Sequence, residues 1–136
     1  MADMTKTVPQ LNADNRPFWE GCREHRLKIQ KCSSCGYLRW PPAFLCPKCL
    51  SAETEWINAC GTGRVYTYAV YHVAPYPAFK ERLPYVVAMV TLEEGPRMMT
   101  NIIDCDPAGI YCEMPVEVSW DDITEEISIP RFHPLQ

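Results

Sequence analysis

Histidine is scarce in this sequence: 136 residues contain three, His25, His72 and His133, and none stands in a recognisable nucleophile or metal-hydrolase motif. His72 lies in a segment of β character and reads as a packed residue rather than a base. A P-loop and a dinucleotide fingerprint are both missing. Nowhere do about eighteen apolar residues follow one another, which excludes a membrane-spanning helix. Residues 1–10 are polar and carry no long apolar run of the export-signal kind. These absences lead to the expectation of a cytoplasmic protein without a membrane partner and without a catalytic centre of its own. Cys60 beside Gly61 does not change that, because a lone cysteine is more often structural than nucleophilic.

Hydrophobic residues make up 47% of the chain and charged residues 22%, with 13 prolines, an ordinary globular composition broken by many turns. The length suits one domain, or two small modules if one is held by a metal ion instead of a core. Charge divides unevenly. Residues 1–62 hold eight Lys/Arg and six Asp/Glu, and residues 63–136 hold five and eleven, giving +2 and −6. The basic excess is concentrated at Arg16, Arg23, Arg26, Lys28, Lys31, Arg39 and Lys48, opposed there by Glu20 and Glu24. Either a small anionic ligand or an ordinary solvated face fits that region.

Eight cysteines are present, and four of them, Cys32, Cys35, Cys46 and Cys49, form a C-x2-C-x10-C-x2-C array. Each C-x-x-C pair turns two sulfurs toward one ion, and Gly36 after the second cysteine supplies the backbone freedom of a tight knuckle. Four thiolates with no adjacent His or carboxylate leave no open position for water, so the array reads as a structural zinc site. A rubredoxin-like iron site and a disulfide pair are the alternatives. The other cysteines (Cys22, Cys60, Cys105, Cys112) are scattered without paired spacing, which favours reduced thiols.

Asp14-Asn15-Arg16-Pro17 predicts the start of a short helix running to about His25, with Phe18 and Cys22 on one face. Leu27 and Ile29 alternate with polar neighbours and predict a strand into the first knuckle. Trp40-Pro41-Pro42 stiffens the metal loop, Trp56 and Ile57 follow the second knuckle, and Gly61-Thr62-Gly63 marks a joint. Beyond it, residues 64–74 predict a long bent strand with Val65, Thr67, Ala69, Tyr71 and Val73 on one face. Residues 75–84 form a proline-punctuated loop carrying Tyr76 and Phe79, which with Tyr71 make either an interface anchor or a cap on the barrel end. Further strands are expected at 85–92, 97–103, 116–120 and 127–129, with a turn at Glu93-Glu94-Gly95-Pro96 and a connecting segment from Asp106. The fold class is therefore mainly β with a short N-terminal helix. Its organisation is a tail and helix over 1–30, a zinc ribbon over 31–62 and a five-stranded OB-fold barrel over 63–136, with an SH3-like barrel as the alternative topology.

Phe18-Trp19-Glu20, Lys31-Cys32-Ser33-Ser34-Cys35-Gly36, Pro41-Pro42, Cys46-Pro47-Lys48-Cys49, Gly61-Thr62-Gly63-Arg64-Val65-Tyr66, Pro84-Tyr85-Val86-Val87-Ala88, Gly109, Met114-Pro115-Val116-Glu117-Val118 and Pro130-Arg131-Phe132 occur in that order. The series resembles the family catalogued as domain of unknown function 35 over nearly the whole chain. That resemblance implies a helix, a rubredoxin-like zinc ribbon and an OB fold acting as a noncatalytic accessory subunit in coenzyme A chemistry. The implied partner in a hetero-oligomer is a thiolase-like catalytic subunit cleaving a 3-oxoacyl-CoA with CoA, or else an acyl-CoA hydratase or aldolase. Ala43 stands where many relatives have arginine after the two prolines.

Coenzyme A carries phosphates and an adenine, so Arg39, Trp40, Phe44 and Lys48 are the candidate CoA-contacting residues, by charge and stacking. Trp40 and Phe44 covering the metal site is the competing role for those two aromatics. Zinc ribbons and OB folds also bind single-stranded nucleic acid, but a groove tracking phosphates should be basic, and this barrel segment is acidic. Electron transfer through iron is the remaining class and predicts a coloured protein.

Overall fold

The computed structural model describes residues 11–40, 42–73 and 83–135. Helix α1 (Arg16–Arg23) is followed by strands β1 (Lys28–Cys32), β2 (Leu38–Arg39), β3 (Thr54–Asn58), β4 (Thr62–Tyr71), β5 (Tyr85–Leu92), β6 (Arg97–Asn101), β7 (Pro115–Asp122) and β8 (Ser128–Pro134). A 3-10 turn, Pro107–Gly109, lies between β6 and β7, with the Asp106 carboxylate accepting from the Ala108 N–H at 3.0 Å. Among the described residues, no helix is long and apolar enough to cross a membrane.

Helix α1 begins at the predicted position, but its entry is built differently. The Asn15 side chain makes no cap to the helix. It accepts instead from the Asn12 N–H at 2.8 Å, while the Asn12 side chain accepts from Asp14 and Asn15. The exit lies two residues short of the expected end. His25 adopts φ 60°, its N–H bonds to the Cys22 carbonyl at 2.9 Å, and the Arg26 N–H reaches the Gly21 carbonyl at 2.8 Å. That pair of bonds is a Schellman termination with histidine in the left-handed position.

The ribbon sheet has the order β2-β1-β3. β3, which the sequence pattern did not reveal as a strand, pairs with all of β1 from Lys28↔Asn58 to Cys32↔Thr54. The second sheet has the order β6-β5-β4-β7-β8. It closes through a parallel bridge between Ile102 and Phe132, where the Ile103 N–H bonds to the Phe132 carbonyl at 2.8 Å. The first barrel strand thus pairs with the second and the fourth, and the third closes on the fifth, which is the OB arrangement and not the SH3-like alternative.

β5 occupies the predicted residues, and its alternate residues Val86, Ala88, Val90 and Leu92 are buried. β4 departs from simple alternation. Its pairing with β5 shifts register between Val65 and Thr67, so Tyr66 is an extra residue that turns the strand over. Val65 is buried, Thr67, Ala69 and Tyr71 are exposed, and Val70 packs against the core. The single face expected for Val65, Thr67, Ala69 and Tyr71 is corrected accordingly. β7 and β8 outrun the predicted spans because polar residues at their ends pair across the ladder, Arg131 with Asp121 at 2.9 Å and His133 with Glu117 at 3.6 Å.

One apolar cluster joins the two sheets, running from Phe18, Cys22 and Ile29 to Val65, Val90 and Phe132. Gly63 is the point of closest backbone approach within the barrel. A Cβ there would lie 2.5 Å from the Thr91 carbonyl oxygen and 2.8 Å from Val90 Cγ1. Backbone on one side cannot yield as a flexible side chain could, so Gly63→Ala is expected to cost roughly 2–3 kcal/mol. Urea denaturation of the metal-loaded protein measures it, and an unchanged midpoint would contradict the tight approach.

Candidate metal centre and barrel cleft

The sulfurs of Cys32, Cys35, Cys46 and Cys49 all lie within 4.8 Å of one another. Cys32 and Cys49 are separated by 3.5 Å, and Cys35 and Cys46 by 3.7 Å. These spacings exceed a disulfide bond, about 2.05 Å, and approach the roughly 3.8 Å between sulfurs that are each about 2.3 Å from one tetrahedral ion. All eight cysteines are free thiols. The four-thiol set therefore fits a closed tetrahedral zinc site.

Two matching knuckles aim the sulfurs. The Cys35 N–H points at Cys32 Sγ and the Lys48 N–H at Cys46 Sγ, each at 3.4 Å. The Gly36 N–H bonds to the Cys32 carbonyl, and the Leu50 N–H to the Cys46 carbonyl. That Cys35 amide bond is the main cause holding the Cys32 thiol down at about 6. Burial raises Cys46, but the amides of Cys49 and Lys48 outweigh it and keep that thiol low. Cys49 accepts the Ser51 amide, yet the neighbouring thiols and burial push it up to about 12. Four thiols packed this closely do not all ionise unless a cation sits among them, and a divalent ion reverses that penalty.

Both knuckles need a left-handed residue after the second cysteine, Gly36 at φ 81° and Leu50 at φ 64°. Only the first was legible from sequence, since leucine does not advertise that conformation. Leu50 is 71% exposed, so its side chain gains little there. Leu50→Gly is expected to stabilise the ribbon by roughly 1 kcal/mol, read as slower zinc loss to a chelator. Faster loss would contradict the strain.

The side chains selected for CoA face different surroundings. Arg39 is 5% exposed, and its Nη2 donates to the Ala43 carbonyl at 3.0 Å while the Ala43 N–H donates to Gln30 at 2.8 Å. Its Nε and Nη1 are buried without a partner among the described residues. Arg39 thus organises the metal loop from inside, which corrects its placement on the basic surface. Trp40 packs edge-on against Phe18 at 6.0 Å and belongs to the joint with α1. Phe44 is 67% exposed. Lys48 extends over the Tyr37 ring at 5.2 Å. Lys31 is engaged by Glu55 at 3.6 Å. Pro41, Tyr76 and Phe79 lie outside the described residues, and Tyr71 stacks on Tyr85 at 5.0 Å.

A cleft of about 810 Å³ opens between α1 and the barrel; sequence reasoning did not find it. Trp19, Tyr85, Trp120, Ile103 and Ile129 form its walls, and Asn101, Asp121 and Arg131 line it with polar atoms. Arg131 Nε donates to Asp121 Oδ2 at 2.9 Å, its Nη1 donates to Asn101, and Asn101 donates to the Val86 carbonyl at 2.8 Å. The Pro130-Arg131-Phe132 motif was the sequence signal available for this network. Trp120 is steadied by the His25 ring, stacked at 5.3 Å and 4°, while His25 Nε2 meets Asp122 Oδ1 at 2.7 Å.

The hydrogen bond from His25 holds the Asp122 carboxyl below its usual range. A carboxylate depressed on folding stabilises the native state above its unfolded pKa of about 4, and that contribution fades as pH falls through the folded value. Asp122→Asn should therefore lower the thermal midpoint slightly at neutral pH, with the gap from the native protein closing in acid. A gap independent of pH would contradict the pairing.

Residues 19–55 match a family model described as ChsH2, rubredoxin-like zinc ribbon domain, and residues 56–121 match one described as ChsH2, C-terminal OB-fold domain. The chain is 43% identical over 126 residues to a probable enoyl-CoA hydratase alpha subunit of Thermomonospora curvata, covering 93% of this chain but 39% of that relative's length. A DUF35 domain-containing scaffold protein of Methanocaldococcus jannaschii is 43% identical over 110 residues, covering 79% of this chain and 77% of the relative. Among solved structures, one described as Ltp2-ChsH2(DUF35) aldolase superposes with a TM-score of 0.85 at 42% identity, covering 93% of this chain and 98% of the other. With both modules matched and the cysteine cluster assembled, the chain belongs to the DUF35 family of paired zinc ribbons and OB folds.

Proposed function

We propose that this chain is a noncatalytic accessory subunit of an acyl-CoA-processing enzyme, bracing a catalytic partner in a hetero-oligomer. Membership of a family whose relatives are named as scaffold proteins and hydratase alpha subunits is the observation that carries the reading. The side-chain chemistry supports it. His25 is hydrogen-bonded to a carboxylate and His133 lies in ion-pair range of one, and the four clustered thiols form a closed set. The outer barrel face exposes Tyr66, Met99 and Tyr71, large side chains of the kind that anchor interfaces. The acid excess of the barrel counts against a nucleic-acid partner.

In the finer reading, the partner is a thiolase whose nucleophilic cysteine cleaves a 3-oxoacyl-CoA with free CoA. A hydratase or aldolase partner is the second reading, favoured by the names of the relatives. Phe44 and Lys48, both exposed, are the ribbon residues available to stack on adenine and meet a phosphate. Arg39 and Trp40 shape the loop between them. Zinc supplies folding energy at the ribbon and takes no part in the reaction. Purification of the tagged chain from its native host, with subunits identified by mass, tests the reading. A co-purifying enzyme whose thiolysis, hydration or retro-aldol cleavage of a CoA ester requires this chain supports it. A chain that purifies alone and binds no acyl-CoA overturns it.

A further inference from the structure

We propose that the cleft between α1 and the barrel holds the acyl group of the CoA ester, a neutral apolar body with one carbonyl acceptor, and not the nucleotide end. The inference rests on the acyl-CoA reading above and assigns a site to it. The cleft volume, about 810 Å³, lies in the range of small-ligand sites, about 300–1,000 Å³. Trp19, Tyr85 and Trp120 line it with aromatic surface, one face of Tyr85 being stacked on Tyr71 and one face of Trp120 on His25, and Ile103 and Ile129 add aliphatic walls. A ring-sized acyl group is the shape such walls bury well.

Charge chooses which end of the ester enters. The ionised lining residues are Asp104, Asp121 and Arg131, two acids against one base. Arg131 is already neutralised by Asp121 at 2.9 Å, and its side chain is 10% exposed. A phosphate arriving here would meet carboxylates and a cation already paired, which disfavours it. A carbonyl asks only for a donor. Arg131 Nη2 supplies one, since Nε and Nη1 are engaged and Nη2 has no partner among the described residues. Burial, followed by Asp106 and Asp104, raises the Cys105 thiol, so that wall residue stays neutral.

The site is held in shape before any ligand arrives. Asp121 and Asn101 fix Arg131, the Val86 carbonyl fixes Asn101, and the His25 stack fixes Trp120. A preformed cleft avoids the ordering cost that a flexible surface would incur on binding.

The test titrates the full metal-loaded chain with benzoyl-N-acetylcysteamine, a neutral thioester without the nucleotide, and separately with free CoA, following tryptophan fluorescence. Saturable quenching by the thioester is expected, with free CoA at least about tenfold weaker. Ile103→Phe and Ile129→Phe, which fill the cleft from two sides, should each weaken the thioester about tenfold or more while the partner still co-purifies. Thioester binding unmoved in both folded variants, or absent from the native chain while the partner still co-purifies, overturns the cleft assignment and leaves the accessory role standing. Loss of the partner in either folded variant overturns it in favour of a protein interface. Absence of both binding and partner from the native chain overturns this inference and the accessory reading together.

Discussion

Cys46→Ser is expected to abolish tight zinc binding and unfold the ribbon. Cys46 is fully buried and accepts the Lys48 amide, so its sulfur is both a ligand and the pivot of the second knuckle. The local sheet has little to replace it. β2 is two residues long, and the loop between β2 and β3 is held at its centre by the thiol cluster. Structural zinc contributes apparent binding energies of about 10–16 kcal/mol at neutral pH, and three thiolates with one hydroxyl retain a small part of that. Elemental analysis should fall from one zinc per chain toward none, and hydrogen exchange should lose protection across 28–58. Because Phe18 and Ile29 share the barrel's apolar cluster, barrel stability should drop as well. Full zinc content with native exchange would refute a structural metal centre. Iron in the native protein, with its colour, would refute zinc.

Phe132→Ala should cost about 3–5 kcal/mol. Its ring is fully buried, and its backbone closes the barrel by accepting from Ile103. The substitution leaves that hydrogen bond in place, so the cost comes from lost burial and from a cavity where the sheet edges meet. Against a typical stability of about 5–15 kcal/mol, much of the protein's margin would disappear. Urea denaturation measures it, and a change under about 1 kcal/mol would show that the seam tolerates a void.

The array of Cys32, Cys35, Cys46 and Cys49 was readable because metal ligation is local: two C-x-x-C turns bring sulfurs together whatever surrounds them. β5 was readable because an apolar run bounded by proline and a Glu-Glu-Gly-Pro turn has few other solutions. Burial was harder to see. Arg39 reads in sequence as one of a row of surface cations, yet its guanidinium turns inward to hold the Ala43 loop, a decision made by where β1 and β2 place that loop. The Tyr66 bulge was hidden for a related reason. An inserted residue leaves the composition unchanged and shows itself only in the pairing partner's register. Leu50 took a backbone conformation that its side chain does not favour because the knuckle hydrogen bonds dictate it.

From the sequence alone came the ribbon-then-barrel order, the four-cysteine array, most strand positions and the family resemblance, all of which rest on short-range spacing and period. The cleft is a different kind of feature. Trp19 is on the helix, Tyr85 begins β5, Trp120 is in β7 and Arg131 in β8, and they meet only after the third barrel strand closes on the fifth. A site assembled from residues as far apart as 19 and 131 has no spacing to read, since its geometry is set by long-range strand pairing and by the packing of α1 on the barrel.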